Sequence, residues 1–295
     1  MVISTLSRLL RLFRSSEWVL IGYFLYATGV SLILPVSGHI TRLTIFMNAL
    51  VLGGLALLAY TDSFRRTEFL GIVRDWYVPP LMLLAYREMG WFALPHTSVA
   101  LEEAWVVWDR YLLNEAGLRA AIEILGPVLP VLLELSYAFV YAMPPFALAM
   151  FYVYRRRQRA DAFLFPFALA VLSVYVLFPF FPSEPPWTVF PGEDFPSYDT
   201  PVRRFNAAML GSQGIHTSVF PSAHVAGSFS VAFAMGRLLP EKKWVGRLLV
   251  ALATCIAVAT VYGRSHYAVD AVAGFAISLA ATAISARRTV APALG

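Results

Sequence analysis

The sequence has little charge and almost no cysteine. Charged residues fill 14% of its 295 positions, against about 25% in a typical soluble protein. That deficit excludes the two soluble domains that length alone would suggest. The balance is apolar, with 59% hydrophobic residues and a mean hydropathy of +0.66, which places the chain in a lipid bilayer. The one cysteine, Cys255, excludes a disulfide or a cysteine metal centre within one chain, and its place inside an apolar run reads as packing. The net charge of +5 does not point to nucleic acid. The arginines stand in short clusters between apolar runs, which is how a membrane protein sets its orientation. No internal repeat is visible.

The apolar runs are long enough to cross a membrane. Arg8, Arg11 and Arg14 precede the first, Trp18 to Pro35, which no convincing cleavage site follows. It reads as a retained span with its N-terminus in the cytoplasm. A second runs from Leu43 to Tyr60 and meets Arg65, Arg66 and Arg74. Trp76 to Pro95 carries Arg87 and Glu88 in its middle, but something must cross before the next cytoplasmic mark, Arg155-Arg156-Arg157 with Arg159. Further spans are expected from Pro127 to Tyr154, Phe163 to Phe181, Phe220 to Leu239, Val245 to Tyr262 and Tyr267 to Ala286, the last ending at Arg287-Arg288. Each can supply the roughly 20 residues a crossing needs, and only helices satisfy their own backbone in lipid at these lengths. The expected fold is therefore all-α, a polytopic transmembrane bundle of roughly eight spans with both termini inside. Residues 1–75 form a two-span region ahead of a membrane domain at 76–295.

Between spans, His96 to Gly126 is expected outside as an interfacial helix, with Trp105, Trp108 and Tyr111 as belt aromatics and Asp109-Arg110 as a surface ion pair. Residues 182–219 form an outer loop rich in proline, glycine and aromatics. Pro127, Pro130, Pro144 and Pro145 kink or interrupt one long helix, and Glu134 within it faces the protein interior.

Two polar stretches break the last third of the chain. Phe220-Pro221-Ser222-Ala223-His224 opens one span, and Gly263-Arg264-Ser265-His266-Tyr267-Ala268-Val269-Asp270 joins the next two. Both histidines fall at the same depth on the outer side. His266 and Asp270 are four apart and share a helix face. The carboxylate can then hold one imidazole nitrogen and leave the other free to attack. A histidine nucleophile splits one hard step into two, and His224 is placed to protonate the leaving oxygen. Arg264 offers a forked donor for phosphate oxygens. Ser222 offers a hydroxyl in the first turn of its helix, Pro221 suits the first helical position, and a helix start is an anion site. The competing reading of His224, His266 and Asp270 is a zinc site, which Arg264 beside it disfavours. A third reading is a membrane transporter or assembly protein without chemistry. Pro35-Val36-Ser37-Gly38-His39 mimics the first stretch by eye, but its proline is one residue early and no long span is expected to follow at once, so His39 reads as a loop residue.

The pair F-P-S-A-H and G-R-S-H-Y-x-x-D resembles the type 2 phosphatidic acid phosphatase superfamily, specifically from about Phe178 to Gly274. The His266-Tyr267 pair, the step to Asp270 and Pro182-Ser183-Glu184-Pro185-Pro186-Trp187 resemble its branch of inositol phosphorylceramide (aureobasidin-resistance) synthases and their bacterial relatives. The resemblance implies a six-helix core and an enzyme acting on lipid phosphate esters without a metal or other cofactor. It implies His266 as nucleophile, Asp270 as its orienter, His224 as acid and Ser222 as a phosphate ligand. Two departures stand out. The Pro-Pro-Trp stretch replaces a basic first motif, and Thr260 occupies the place of the third-motif arginine. Arg264, Arg203, Arg204 or Arg87 would then have to supply the charge. The expected partners are a membrane lipid substrate and the bilayer itself. The sequence does not set the oligomeric state.

Overall fold

The computed structural model describes residues 12–92, 98–215 and 218–290. Arg8, Arg11, Pro95 and His96 lie outside the described residues. Among the described residues every regular element is helical, as the absence of water in a bilayer demands. In chain order we label α1 (Ser15–Ile33), α2 (Gly38–Arg65), α3 (Glu68–Trp76), α4 (Val78–Gly90), α5 (Ala100–Arg110), α6 (Leu118–Glu123), α7 (Val128–Ala138), α8 (Met143–Val153), α9 (Ala160–Leu177), α10 (Pro201–Gln213), α11 (Ala223–Leu238), α12 (Lys243–Tyr262) and α13 (Ala268–Val290).

The fold is a polytopic helical bundle. Five stretches, carrying α1, α2, α9, α12 and α13, are long and apolar enough to cross a membrane. The expected span at 127–154 is present but broken. A short 3₁₀ turn, Phe139–Tyr141, joins α7 to α8, and the two halves bend by 68°. Pro144 and Pro145 open the second half, where a proline that cannot donate its N–H does least harm. Two expected spans are short. α11 has 16 residues, about 24 Å at 1.5 Å per residue, and α4 has 13, about 20 Å, against about 30 Å of hydrocarbon. α3 and α4 join end to end at Tyr77.

α11 is nonetheless well enclosed, packed on α9, α12 and α13. Its residues Val225 to Ala232 are all buried, and a helix apolar all round belongs in a core. Lipid tails are as apolar as leucine, so small residues and close backbones must hold such helices together. Gly236 and Gly246 do this between α11 and α12, where a Cβ on Gly246 would come within 2.9 Å of Gly236 Cα. α1 is part of the same core, with Leu20, Phe24 and Ala27 fully buried against it.

The two ends of the bundle carry different sets of polar groups. One end gathers Arg74 with Glu17 and Asp62, Asp75 with Arg14, Arg157 and Tyr152, and Arg159 with the α11 carbonyl of Leu238. The other end carries α5, α6, residues 182–215 and both polar stretches of the last third.

Candidate active site

The site is built from two helix starts and one tight loop. α12 stops at Tyr262, and the chain turns through Gly263 and Arg264, the latter in left-handed conformation at φ 64°. The carbonyl of Thr260 accepts from both Ser265 N and His266 N at 3.0 Å. The position lacking the family arginine thus holds the loop by its backbone. α13 then begins. Asp270, fully buried in its first turn, accepts from Tyr267 N at 2.9 Å and lies 3.2 Å from His266 Nδ1 through the same Oδ2. Its main-chain carbonyl accepts from Ser222 N at 3.0 Å, which ties the start of α13 to the start of α11. Gly274 makes this closeness possible, because a Cβ there would stand 2.5 Å from the Ser222 carbonyl.

The two histidines meet. His266 Nε2 lies 3.4 Å from His224 Nδ1, with ring centroids 5.6 Å apart. Forty-two residues of sequence separate them. His266 is nearly fully buried, and that burial pushes its imidazole down from the ordinary value to about 4, so it is neutral at pH 7 with a lone pair available. The first turn of α11, at Ala223 and His224, has N–H groups with no intrahelical acceptor, and these belong to the same corner as the rings.

A cavity of about 50 Å³ adjoins the histidines, lined by Ala223, Ser265, Tyr137, Pro185, Trp187 and Val219 among others. Trp187 N donates to the Arg264 carbonyl at 3.2 Å, so the Pro-Pro-Trp stretch closes over the site. Two apolar compartments of about 380 Å³ each continue from it. The first is lined by His224, Tyr141, Trp76, Pro79 and Pro145 among others. The second holds Arg87, Asn206 and Met209 and shares Tyr86 and Tyr141 with the first.

The remaining predicted residues divide. Ser222 is the N-cap of α11, with its hydroxyl accepting from Val225 N at 3.4 Å. It is buried and precedes the first turn, with Pro221 outside the helix. Arg264 is fully buried and ion-paired through Nη1 to Asp109 at 2.6 Å, and it is not among the residues that line the cavity. Its Nε and Nη2 have no hydrogen-bond partner among the described residues. Arg203 leans on Glu134 at 3.5 Å and on the Phe195 ring. Arg204 is exposed beside Asp199, and Arg87 is exposed on α4. Glu134 faces inward and accepts from Asn206. No group of three His, Cys, Asp or Glu side chains among the described residues has the geometry of a metal site.

Three expectations are corrected. Asp109 does not pair with Arg110 at the surface. It is fully buried, accepts from Ala268 N at 2.8 Å as well as from Arg264, and burial raises its carboxyl to about 6 despite that arginine. Arg110 pairs instead with Glu193 and Asp194. Trp105 is not a belt residue, since it stacks on Phe220 and meets Tyr267 edge-on, while Trp108 and Tyr111 are exposed. The look-alike stretch is followed at once by a long span: Ser37 caps α2, of 28 residues. His39 is set apart by its exposure, not by the lack of a helix.

Tyr137, like Glu134, stands out in the sequence as a polar group in an apolar span, whereas Asp109 and Tyr141 carried no motif that sequence reasoning could use. The Tyr137 ring lies 5.2 Å from the His224 ring, and the Tyr141 hydroxyl lies 3.4 Å from His224 Nε2. Their signal is a tyrosine pair four apart in an apolar span.

A polytopic helical bundle with two histidines and a carboxylate converging between helix starts defines a class of membrane protein. The chain belongs to the PAP2 superfamily, whose family model matches residues 103–284. The match takes in Asp109 as well as both histidine stretches. No curated protein and no solved structure matches the chain. Membership supports phosphatase-type activity on lipid phosphates.

Proposed function

We propose that this protein cleaves or transfers the phosphate-linked group of a membrane lipid through a covalent phosphohistidine on His266. One observation carries the reading: the unbroken contact path Asp270–His266–His224. Asp270 would hold His266 Nδ1 and stabilise the cation that forms as Nε2 attacks. The Nε2–P bond forms as the P–O bond breaks, and the leaving oxygen takes a proton from His224. In the second step an acceptor O–H returns that proton to His224 as its oxygen attacks phosphorus. Phosphoryl transfer asks mainly for positioning and charge neutralisation, and the open N–H groups of the α11 start suit the phosphate oxygens. The apolar compartments beside His224 suit lipid chains.

We favour transfer to an alcohol, as in the inositol phosphorylceramide synthase branch. The small cavity under Trp187 and Pro185 would keep water from the intermediate. Hydrolysis, with water as acceptor, is the second reading. The site would face away from the cytoplasm, because Arg65, Arg66, Arg155, Lys242 and Lys243 cluster at the opposite end of the bundle.

The test is turnover of a panel of lipid phosphates by purified protein, with and without alcohol acceptors. We expect His266→Ala to lose at least about 10³-fold in kcat, and labelled phosphate to be trapped on histidine. Equal turnover by wild type and His266→Ala would end this reading. Water as sole acceptor would select hydrolysis.

A further inference from the structure

His224 meets a hydrogen-bonding group at each ring nitrogen, Nδ1 at His266 Nε2 and Nε2 at the Tyr141 hydroxyl, both at 3.4 Å. With Asp270 ionised and both imidazoles neutral, the contacts place the protons. An ionised Asp270 can only accept, so its Oδ2 takes both Tyr267 N–H and His266 Nδ1–H. The Val219 backbone also hydrogen-bonds this ring; with the single N–H of a neutral imidazole held at Nδ1, His266 Nε2 is a bare lone pair. The proton between the two rings then belongs to His224 Nδ1. His224 Nε2 is bare in turn, and only the Tyr141 hydroxyl can donate to it. Each contact uses one proton, and all run in one direction.

We infer that Tyr141 is the positioning residue of His224: its hydroxyl fixes the Nδ1–H tautomer and so aims an N–H at the place where phosphorus would join His266. Tyr141 serves His224 as Asp270 serves His266. When a bound phosphate draws a second proton onto His224, the same hydroxyl turns and accepts from Nε2–H, because a phenol can do either. The broken span supplies the residue. Tyr141 ends the 3₁₀ turn between α7 and α8, and Tyr137, one turn earlier, lays its ring on the same imidazole. The kinetic part of this inference rests on the phosphohistidine reading; the tautomer does not.

The test uses full-length protein labelled with ¹⁵N-histidine, which has five histidines to resolve, with His224 assigned from the spectrum of His224→Ala. We expect wild-type His224 protonated at Nδ1 and bare at Nε2. Tyr141→Phe keeps the ring and removes the donor, so the tautomer shifts toward Nε2–H. Tyr137→Phe keeps the wild-type tautomer. Turnover by Tyr141→Phe falls at least about tenfold more for an alkyl phosphate ester than for an aryl ester whose leaving group needs no proton. A wild-type ring protonated at Nε2, a Tyr141→Phe spectrum identical to wild type, or the same shift in Tyr137→Phe overturns the assignment. An unchanged alkyl-to-aryl ratio overturns its role in the reaction. The spectrum needs no turnover, so a protein inactive on every phosphate would sink the phosphohistidine reading and leave Tyr141 to be judged separately.

Discussion

At the scale of single residues the chemistry hangs on which imidazole nitrogen is bare. Burial holds His266 neutral down to about pH 4, so the acid limb of kcat/KM, which reports the free enzyme, should fall near 4 and not near the ordinary 6.5. A limb at 6.5 would show that His266 is hydrated in the working protein. The linkage has the same sign. A histidine depressed in the folded state adds stability that is whole above the unfolded value and is lost as pH falls from 6.5 toward 4. Asp270→Asn leaves the shape intact but offers an amide donor to Nδ1. It should lower kcat by roughly 10²–10⁴, with the helical circular dichroism unchanged.

At the scale of elements, the loop at 263–267 is held from both sides. Asp109 on α5 grips Arg264 and Ala268 N, and Gly274 lets α13 press on the Ser222 carbonyl. Asp109→Ala strands a buried guanidinium and should cost about 3–5 kcal/mol. Replacing both partners, Asp109→Leu with Arg264→Met, should recover much of it, and thermal unfolding in detergent measures the difference. Gly274→Ala drives a methyl into backbone and should cost about 1–3 kcal/mol, with turnover falling alongside. These grips explain what the sequence could and could not disclose. His224, His266 and Asp270 were legible because each breaks an apolar run at a span boundary, and a four-residue step has a fixed meaning on a helix. Asp109 was not, because no periodicity links it to Arg264, 155 residues away. Ser222 misled in part, since a hydroxyl at a helix start serves equally as a cap or as a ligand. The prolines announced a break near residue 142 but not that it would deliver Tyr141 to the site.

At the scale of the whole molecule, one end is held by arginine and carboxylate pairs around Arg74 and Asp75, and the other carries the site along with pairs of its own. The proposed orientation predicts labelling. In a Cys255→Ser background, Asp199→Cys, exposed on the site's side, should react with an impermeant thiol reagent in intact cells. Glu68→Cys, exposed at the arginine end, should react only after permeabilisation. The reverse pattern would turn the protein over. The spans themselves were readable from composition, but α4 and α11 are shorter than their apolar runs implied, and only packing shows why α11 can be short. It is wrapped by α9, α12 and α13 and meets little lipid. The apolar compartments between α4 and the broken span have a kinetic consequence. If the proposed lipid substrate enters them from the bilayer, it is sampled from a two-dimensional sheet. Its rate should follow mole fraction in the micelle or vesicle, so diluting the substrate with inert amphiphile at fixed bulk concentration should slow turnover in proportion.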